Sequence, residues 1–188
     1  LKHIAIFASG GGSNAENILE YFSNHEEIKV SLIMTNNPKA GVIQRAHRWQ
    51  VPCIVLNKAH YRDGEFLAKL MHQYNIDLIA LAGYLKLIPS ALIESFPQTI
   101  INIHPALLPK FGGKGMYGMN VHKAVIAAGE AFSGPTIHRV NERYDEGEII
   151  FQDKVAIQPD WDASTLQKEV LKLEHKHFAP TIEEVLMS

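Results

Sequence analysis

Residues 101–109 read INIHPALLP, and this stretch decides where a sheet ends and what stands at its rim. The apolar run that begins at Thr99 reads as a buried strand, and it arrives at His104 followed at once by Pro105. Proline has no N–H and a fixed φ, so it stops the strand and stiffens the exit. Asn102 stands two positions before the histidine. In an open parallel sheet, ligands gather at the carboxyl ends of the strands. An amide and an imidazole at such an end suit oxyanion stabilisation and proton transfer, the two needs of a reaction through a tetrahedral intermediate. The plainer alternative is a hydrogen-bonded histidine at a sheet edge.

Working outward, short apolar runs alternate with helical patterns: HIAIFAS at 3–9, IKVSLIMT at 28–35, CIVL at 53–56, DLIALAG at 77–83 and TIINIH at 99–104. That alternation predicts a parallel α/β sheet. The runs are continuously apolar, as expected where helices cover both faces. After this the segment PKFGGKGMYG, residues 109–118, holds four glycines and predicts a mobile loop placed to cover the strand ends. A helix around VHKAVIAAG, a strand around PTIHRV, the turn NERYDEGE and a strand IIFQDKVAI follow. The last helix is expected from about Thr165, with Ser164 and Gln167 as a capping box and Leu166, Val170, Leu173 and His177 on one stripe. Neither a repeat nor a linker divides the chain, so one domain over residues 1–188 is expected.

The chain has 188 residues, 46% of them hydrophobic, enough for one full core. Its net charge of −2 and pI near 6.6 argue against a surface built to grip nucleic acid and favour small soluble partners. The single cysteine, Cys53, rules out an intrachain disulfide and reads as packing. LKHIAIFASGGG resembles a strand rather than a signal peptide, and no apolar stretch approaches the length of about 18 residues that marks a membrane span. A cytoplasmic protein is expected.

The segment SGGGSNAENIL follows the first strand and opens a helix, so backbone N–H groups at Gly11, Gly12 and Ser13 can face an anion, naturally a phosphate. Gly10, Gly12 and Ala15 also fit the dinucleotide pattern G-x-G-x-x-[GA]. That pattern wants an acidic residue at the end of the second strand, and Met34-Thr35-Asn36-Asn37-Pro38 has none. The Ser13 hydroxyl and Asn14 amide suit a terminal phosphate better than a pyrophosphate. A tight turn without ligand is the competing reading. In the YDEG turn at 144–147, Asp145 can reach the crevice to orient the imidazole or order a water; taken alone, such a turn is merely solvated.

Five segments, SGGGSN at 9–14, LAGYLKLI at 81–88, NIHPALLPKF at 102–111, YDEG at 144–147 and LEH at 173–175, together resemble the folate-dependent formyltransferases over nearly the whole chain. The resemblance implies a Rossmann-like three-layer α/β/α sandwich on a seven-stranded, mostly parallel sheet with one antiparallel strand. It implies transfer of the formyl group of 10-formyltetrahydrofolate to the amine of glycinamide ribonucleotide, a step of purine biosynthesis, with no metal. Asn102, His104 and Asp145 match the catalytic trio, in which Asn102 and a protonated His104 stabilise the oxyanion while Asp145 favours that protonation and moves the amine proton. Gly12, Ser13 and Asn14 match the phosphate loop, with Leu171, Lys172, Leu173 and Glu174 at the ribose. Arg62 and the run Leu85, Lys86, Leu87 and Ile88 match the folate site, together with Asn102, Asn141, Glu142, Arg143, Tyr144 and Asp145.

The chain departs from the family's commoner pattern by inserting GGKGMYGMN before Val121-His122, which affects loop closure. His175 and His177 stand about 200° apart around a helix, against a shared metal. Four other readings compete. A formyltetrahydrofolate hydrolase shares the catalytic region and is expected to carry an N-terminal regulatory domain. A methionyl-tRNA formyltransferase is expected to carry a tRNA-binding C-terminal domain. A NAD dehydrogenase lacks its acidic residue, and a phosphosugar-binding module leaves Asn102, His104 and Asp145 idle.

Overall fold

Strand β1 (Lys2–Phe7) runs through the interior of the sheet. Its residues alternate between two cores: Ile4 and Ile6 enter one, Ala5 and Phe7 the other. All four are fully buried, because a central strand sandwiched between helix layers needs apolar side chains on both faces. The computed structural model describes residues 1–188. No helix in it is long and apolar enough to cross a membrane.

Around β1 lie β2 (Ile28–Thr35), β3 (Cys53–Val55), β4 (Leu78–Leu81), β5 (Ile100–His104), β7 (Thr136–Arg139) and β8 (Ile149–Gln152), in the order β3-β2-β1-β4-β5-β7-β8. The first five are mutually parallel. Only β7 is reversed, antiparallel to both β5 and β8. Helices α1 (Ser13–Tyr21), α2 (Val42–Arg48) and α7 (Ala163–Met187) bury one face through residues such as Ile18, Val42 and Phe178. Helices α4 (Gly64–Gln73) and α5 (Ser90–Ser95) cover the other through Leu67, Met71 and Leu92. Two short helices complete the set, α3 (Lys58–Arg62) and α6 (Met119–Ala127), the latter packed against α7. The result is the three-layer sandwich the sequence leads one to expect.

The same alternation sets the rim. Ile101 and Ile103 enter the first core and Ile100 the second, so Asn102 and His104 share the Ile100 face of β5. Asn102 pairs across the antiparallel ladder with His138, and His104 with Thr136. Directly opposed residues stand on one face, which brings His138 beside Asn102.

Three expectations are corrected. The segment IIFQDKVAI is two strands: β8 stays in the main sheet, while β9 (Val155–Ala156) pairs with β6 (Phe132–Ser133) in a separate ribbon. Gln152 is anchored to the Leu108 carbonyl at 3.0 Å and to Thr136 Oγ1 at 2.8 Å, and the backbone then crosses so close to Gly134 that a Cβ there would lie 1.9 Å from the Asp153 oxygen. The chain leaves the sheet at that crossing. The α7 cap is Asp162, whose carboxylate accepts from Thr165 N at 2.7 Å, instead of Ser164, which lies inside the helix. The buried stripe is Leu166, Val170, Glu174, Phe178 and Ile182. Leu173 and His177 are only half-buried, and His177 turns to Asp153 at 2.7 Å. An acid in the stripe defeats apolar periodicity.

Cys53 is half-buried, and burial pushes its thiol up, in keeping with a packing role.

Gly147 joins the 141–148 turn to β8. A Cβ there would sit 1.6 Å from the Arg139 carbonyl carbon's oxygen, next to the Arg139 N to Glu148 O bond of 2.8 Å. Gly147→Ala is expected to cost about 2 kcal/mol or more in urea unfolding, the upper part of the overpacking range. Gly10→Ala, with nothing within 4 Å, should leave stability nearly unchanged.

Candidate functional site

A cleft of about 520 Å³ crosses the carboxyl ends of β1, β4 and β5. Its two ends differ in chemistry.

At one end, β1 gives way to the loop Gly10–Gly12 and the start of α1. The backbone N–H groups of Gly10 through Ala15 have no acceptor in the protein, and no side chain caps α1. Gly12 has φ 74°, a left-handed conformation that glycine adopts without strain. Asn14 donates to Glu174 Oε2 at 2.6 Å, which leaves its own Oδ1 buried without a partner. Burial pushes the Glu174 carboxyl up to about 7, against the opposing Asn14 bond.

In the middle stand Asn102, His104, His138 and Asp145. Asn102 Nδ2 lies 3.1 Å from His138 Nε2 and 3.4 Å from Asp145 Oδ1. Asp145 Oδ1 is 3.5 Å from His104 Nδ1 and 3.6 Å from His138 Nε2, and its Oδ2 accepts from Gly113 N at 2.9 Å. Asp145 has φ 57°, a conformation that aspartate tolerates better than most residues. That backbone turn brings the carboxylate inward.

The backbone fixes both imidazole tautomers. His104 Nε2 lies 2.8 Å from the Phe111 carbonyl and His138 Nδ1 2.8 Å from the Arg139 carbonyl. Carbonyls only accept, so each of those nitrogens carries a proton. His138 Nε2 then accepts from Asn102, and His104 Nδ1 faces the carboxylate. Burial lowers the His104 pKa despite Asp145 and the Phe111 carbonyl, which pull it upward. In the free protein, then, burial outweighs the two groups that favour protonation of His104. For Asp145, burial raises the pKa, but His138, His104 and the Gly113 N–H together outweigh it and hold the carboxyl below its usual range. The set therefore rests as a carboxylate beside a neutral imidazole, able to take up one proton and give it back.

The far end is more apolar. Leu85 and Leu87 are 46% exposed and Tyr144 40%, and all three line the cleft.

Most of the residues singled out by sequence meet here. Gly12, Ser13, Asn14, Leu171 and Glu174 line one end; Leu85, Lys86, Leu87 and Ile88 with Asn141, Arg143 and Tyr144 line the other. Arg62 and Glu142, both exposed, lie outside the lining, as do Lys172 and Leu173. Sequence reasoning missed His138, which sits in an ordinary strand pattern and is identified only by its register with Asn102. It also missed His122 on α6, and Lys114 and Met116 of the glycine-rich segment, all of which line the cleft.

Residues 2–182 match the profile of the family described as formyl transferase. The chain is 43% identical over 187 residues to the chloroplastic phosphoribosylglycinamide formyltransferase of Arabidopsis thaliana, covering 96% of this chain and 64% of that one. It is 33% identical to the phosphoribosylglycinamide formyltransferase of Bacillus subtilis, covering 99% of this chain and 95% of that one. The crystal structure of glycinamide ribonucleotide transformylase 1 from Geobacillus kaustophilus superposes with a TM-score of 0.89 at 32% identity, covering 99% of each chain. The chain spans 64% and 60% of the length of the two plant relatives it matches.

His122 is 2% exposed, and its Nδ1 has no partner. Burial, with His104 nearby, lowers its pKa to about 4. Unfolded, it would titrate near about 6.5, so the folded state binds fewer protons between those values. Its contribution is neutral above pH 6.5 and destabilising as pH falls toward 4. His122→Leu is expected to flatten the stability-versus-pH curve over that window in urea unfolding; an unaltered slope would show that His122 does not titrate there.

Proposed function

The chain belongs to the formyl transferase family, and on that footing we propose that it transfers the formyl group of 10-formyltetrahydrofolate to the primary amine of glycinamide ribonucleotide. One observation carries the proposal: a single cleft joins unpaired backbone amides, suited to a phosphate, to a buried amide–imidazole–carboxylate cluster and then to an apolar rim. A phosphorylated amine at one end and a flat, largely apolar donor at the other would meet at the cluster.

In this reading the amine nitrogen adds to the formyl carbon, and the carbonyl pair moves onto oxygen. Asn102 turns an N–H to that oxyanion. The Asp145–His104 pair takes the proton lost by the amine and delivers it to the folate nitrogen as its bond to the formyl carbon breaks and the carbonyl reforms. His138, through its backbone-fixed tautomer, keeps the Asn102 amide from rotating. Glu174 and Asn14 would face the ribose, and Leu85, Leu87 and Tyr144 the folate rings. The cytosol is the proposed compartment, on the sequence's lone cysteine alone.

A hydrolase acting on the same donor would use the same cluster. What favours transfer is the amide nest, which hydrolysis of the donor does not need.

The test is tetrahydrofolate release from 10-formyltetrahydrofolate, followed spectroscopically with and without glycinamide ribonucleotide. Turnover is expected only with the ribonucleotide. His104→Ala and Asp145→Asn should each lower it by about two orders of magnitude or more, the usual scale for an acid–base or oxyanion group. Asparagine suits the left-handed backbone at 145, so that variant should stay folded. Turnover without the ribonucleotide would indicate hydrolysis, and near-normal variants would remove these residues from the chemistry.

A further inference from the structure

The amides of Gly10 through Ala15 are free because the neighbouring carbonyls are not. The Ser9 carbonyl accepts from Asn37 Nδ2 at 3.3 Å, Gly10 from Val42 N at 3.1 Å, Gly11 from Arg45 Nε at 2.6 Å, and Gly12 from Glu16 N at 2.8 Å. Carbonyls drawn to one side leave the amides turned to the other, which makes a concave anion site. Three of the four donors come from the segment that leads from β2 into α2.

Close packing makes this possible. A Cβ on Gly41 would come within 3.2 Å of Gly11 Cα, and one on Gly12 within 2.7 Å of Val42. Helix α2 thus rests directly on the loop.

Arg45 is the one charged side chain among these donors, and it is itself held. Its Nη1 lies 2.9 Å from Glu16 Oε2, and the other Glu16 oxygen accepts from Trp49 Nε1 at 2.9 Å. Arg48 stands 3.7 Å from the same carboxylate. The Trp49 bond first, then the two arginines, hold the Glu16 carboxyl below its usual range. Two guanidinium groups against one carboxylate leave a net positive charge beneath the loop. Arg45 does not line the cleft.

We propose that Arg45 is a positioning residue for the phosphate of the ribonucleotide: it holds the Gly11 carbonyl against α2 and so aims the loop amides at the anion. Glu16 and Trp49 hold Arg45 in turn. The inference rests on the reading that this end of the cleft takes a phosphate.

The experiment uses the full chain, steady-state kinetics in both substrates, and calorimetric binding of ribose 5-phosphate. Arg45→Met should raise the ribonucleotide KM about tenfold or more, the scale of one lost charge-assisted hydrogen bond, with kcat and the folate KM within about twofold. Trp49→Phe keeps an aromatic side chain but loses the indole N–H, and should shift the same KM in the same direction by about two- to threefold. Arg45→Lys keeps the charge without the planar fork, so it should recover only part of the loss. Equal rises in both KM values, no rise in the ribonucleotide KM, or full recovery by lysine would overturn the positioning role. If Arg45→Met fails to fold, Trp49→Phe decides. Gly12→Val separates the two levels. Ribose 5-phosphate binding lost in Gly12→Val but kept in Arg45→Met overturns the Arg45 role alone, whereas binding indifferent to Gly12→Val overturns the phosphate reading itself.

Discussion

The largely buried Asp145 carboxylate is the interaction on which the rest of the site depends. Asn102 and His104 come from β5, His138 from β7, and Gly113 from the glycine-rich segment, and all four converge on it. No other residue ties these parts together. Burying a carboxylate is costly unless donors meet it; here the Asn102 amide and the Gly113 N–H donate to it, and the His104 imidazole beside it is the group placed to handle a proton. The electrostatic need of one side chain thus orders the chemistry around it. A left-handed backbone at residue 145 and the close approach of Gly147 to Arg139 are the local conditions under which that carboxylate can point inward.

Much of this was legible in the sequence, for reasons that differ by element. The five parallel strands stand out because burial on both faces forces unbroken apolar runs, and β2 matches its predicted span of residues 28–35. Asn102 and His104 stand out because polar groups interrupt such a run just before Pro105. His138 does not, since an isolated polar residue in a short strand carries no signal until the antiparallel register sets it opposite Asn102. The break between β8 and β9 was hidden for a similar reason: it arises from contact with Gly134 and Thr136, remote in sequence. Glu174 escaped the helical stripe because apolar periodicity assigns acids to the solvent face, whereas a site inverts that rule. The upward shift of the Glu174 carboxyl and the downward shift of the His104 imidazole both follow from burial that only the fold reveals.

Helix α2 illustrates how a scaffold element takes part in a site without entering it. Its apolar residues Val42 and Ala46 pack in the core, which is the ordinary reason for a helix to lie there. Its first amide and its Arg45 meanwhile claim two loop carbonyls. Core packing and loop geometry are therefore one constraint: a shift of α2 that opened the core would also turn the amides of Gly10–Ser13.

The groups left without partners carry the same logic further. Buried side-chain atoms that lack a hydrogen bond are Asn14 Oδ1, Tyr84 Oη, His122 Nδ1, Ser133 Oγ and His175 Nε2, and the first three belong to residues that line the cleft. The amides of Gly10 through Ala15, at the partly exposed end of the same cleft, also lack an acceptor within the protein. Polar groups that lack protein partners and gather in one crevice are the groups that a ligand there would complete. Such a ligand must bring acceptors to the amide end and at least one donor to Asn14 Oδ1, since an amide oxygen only accepts. A phosphate beside a ribose hydroxyl meets both demands, and the apolar rim at Leu85, Leu87 and Tyr144 asks for the opposite chemistry. Two dissimilar ligands joined at a proton-handling centre is what a group transfer between them requires.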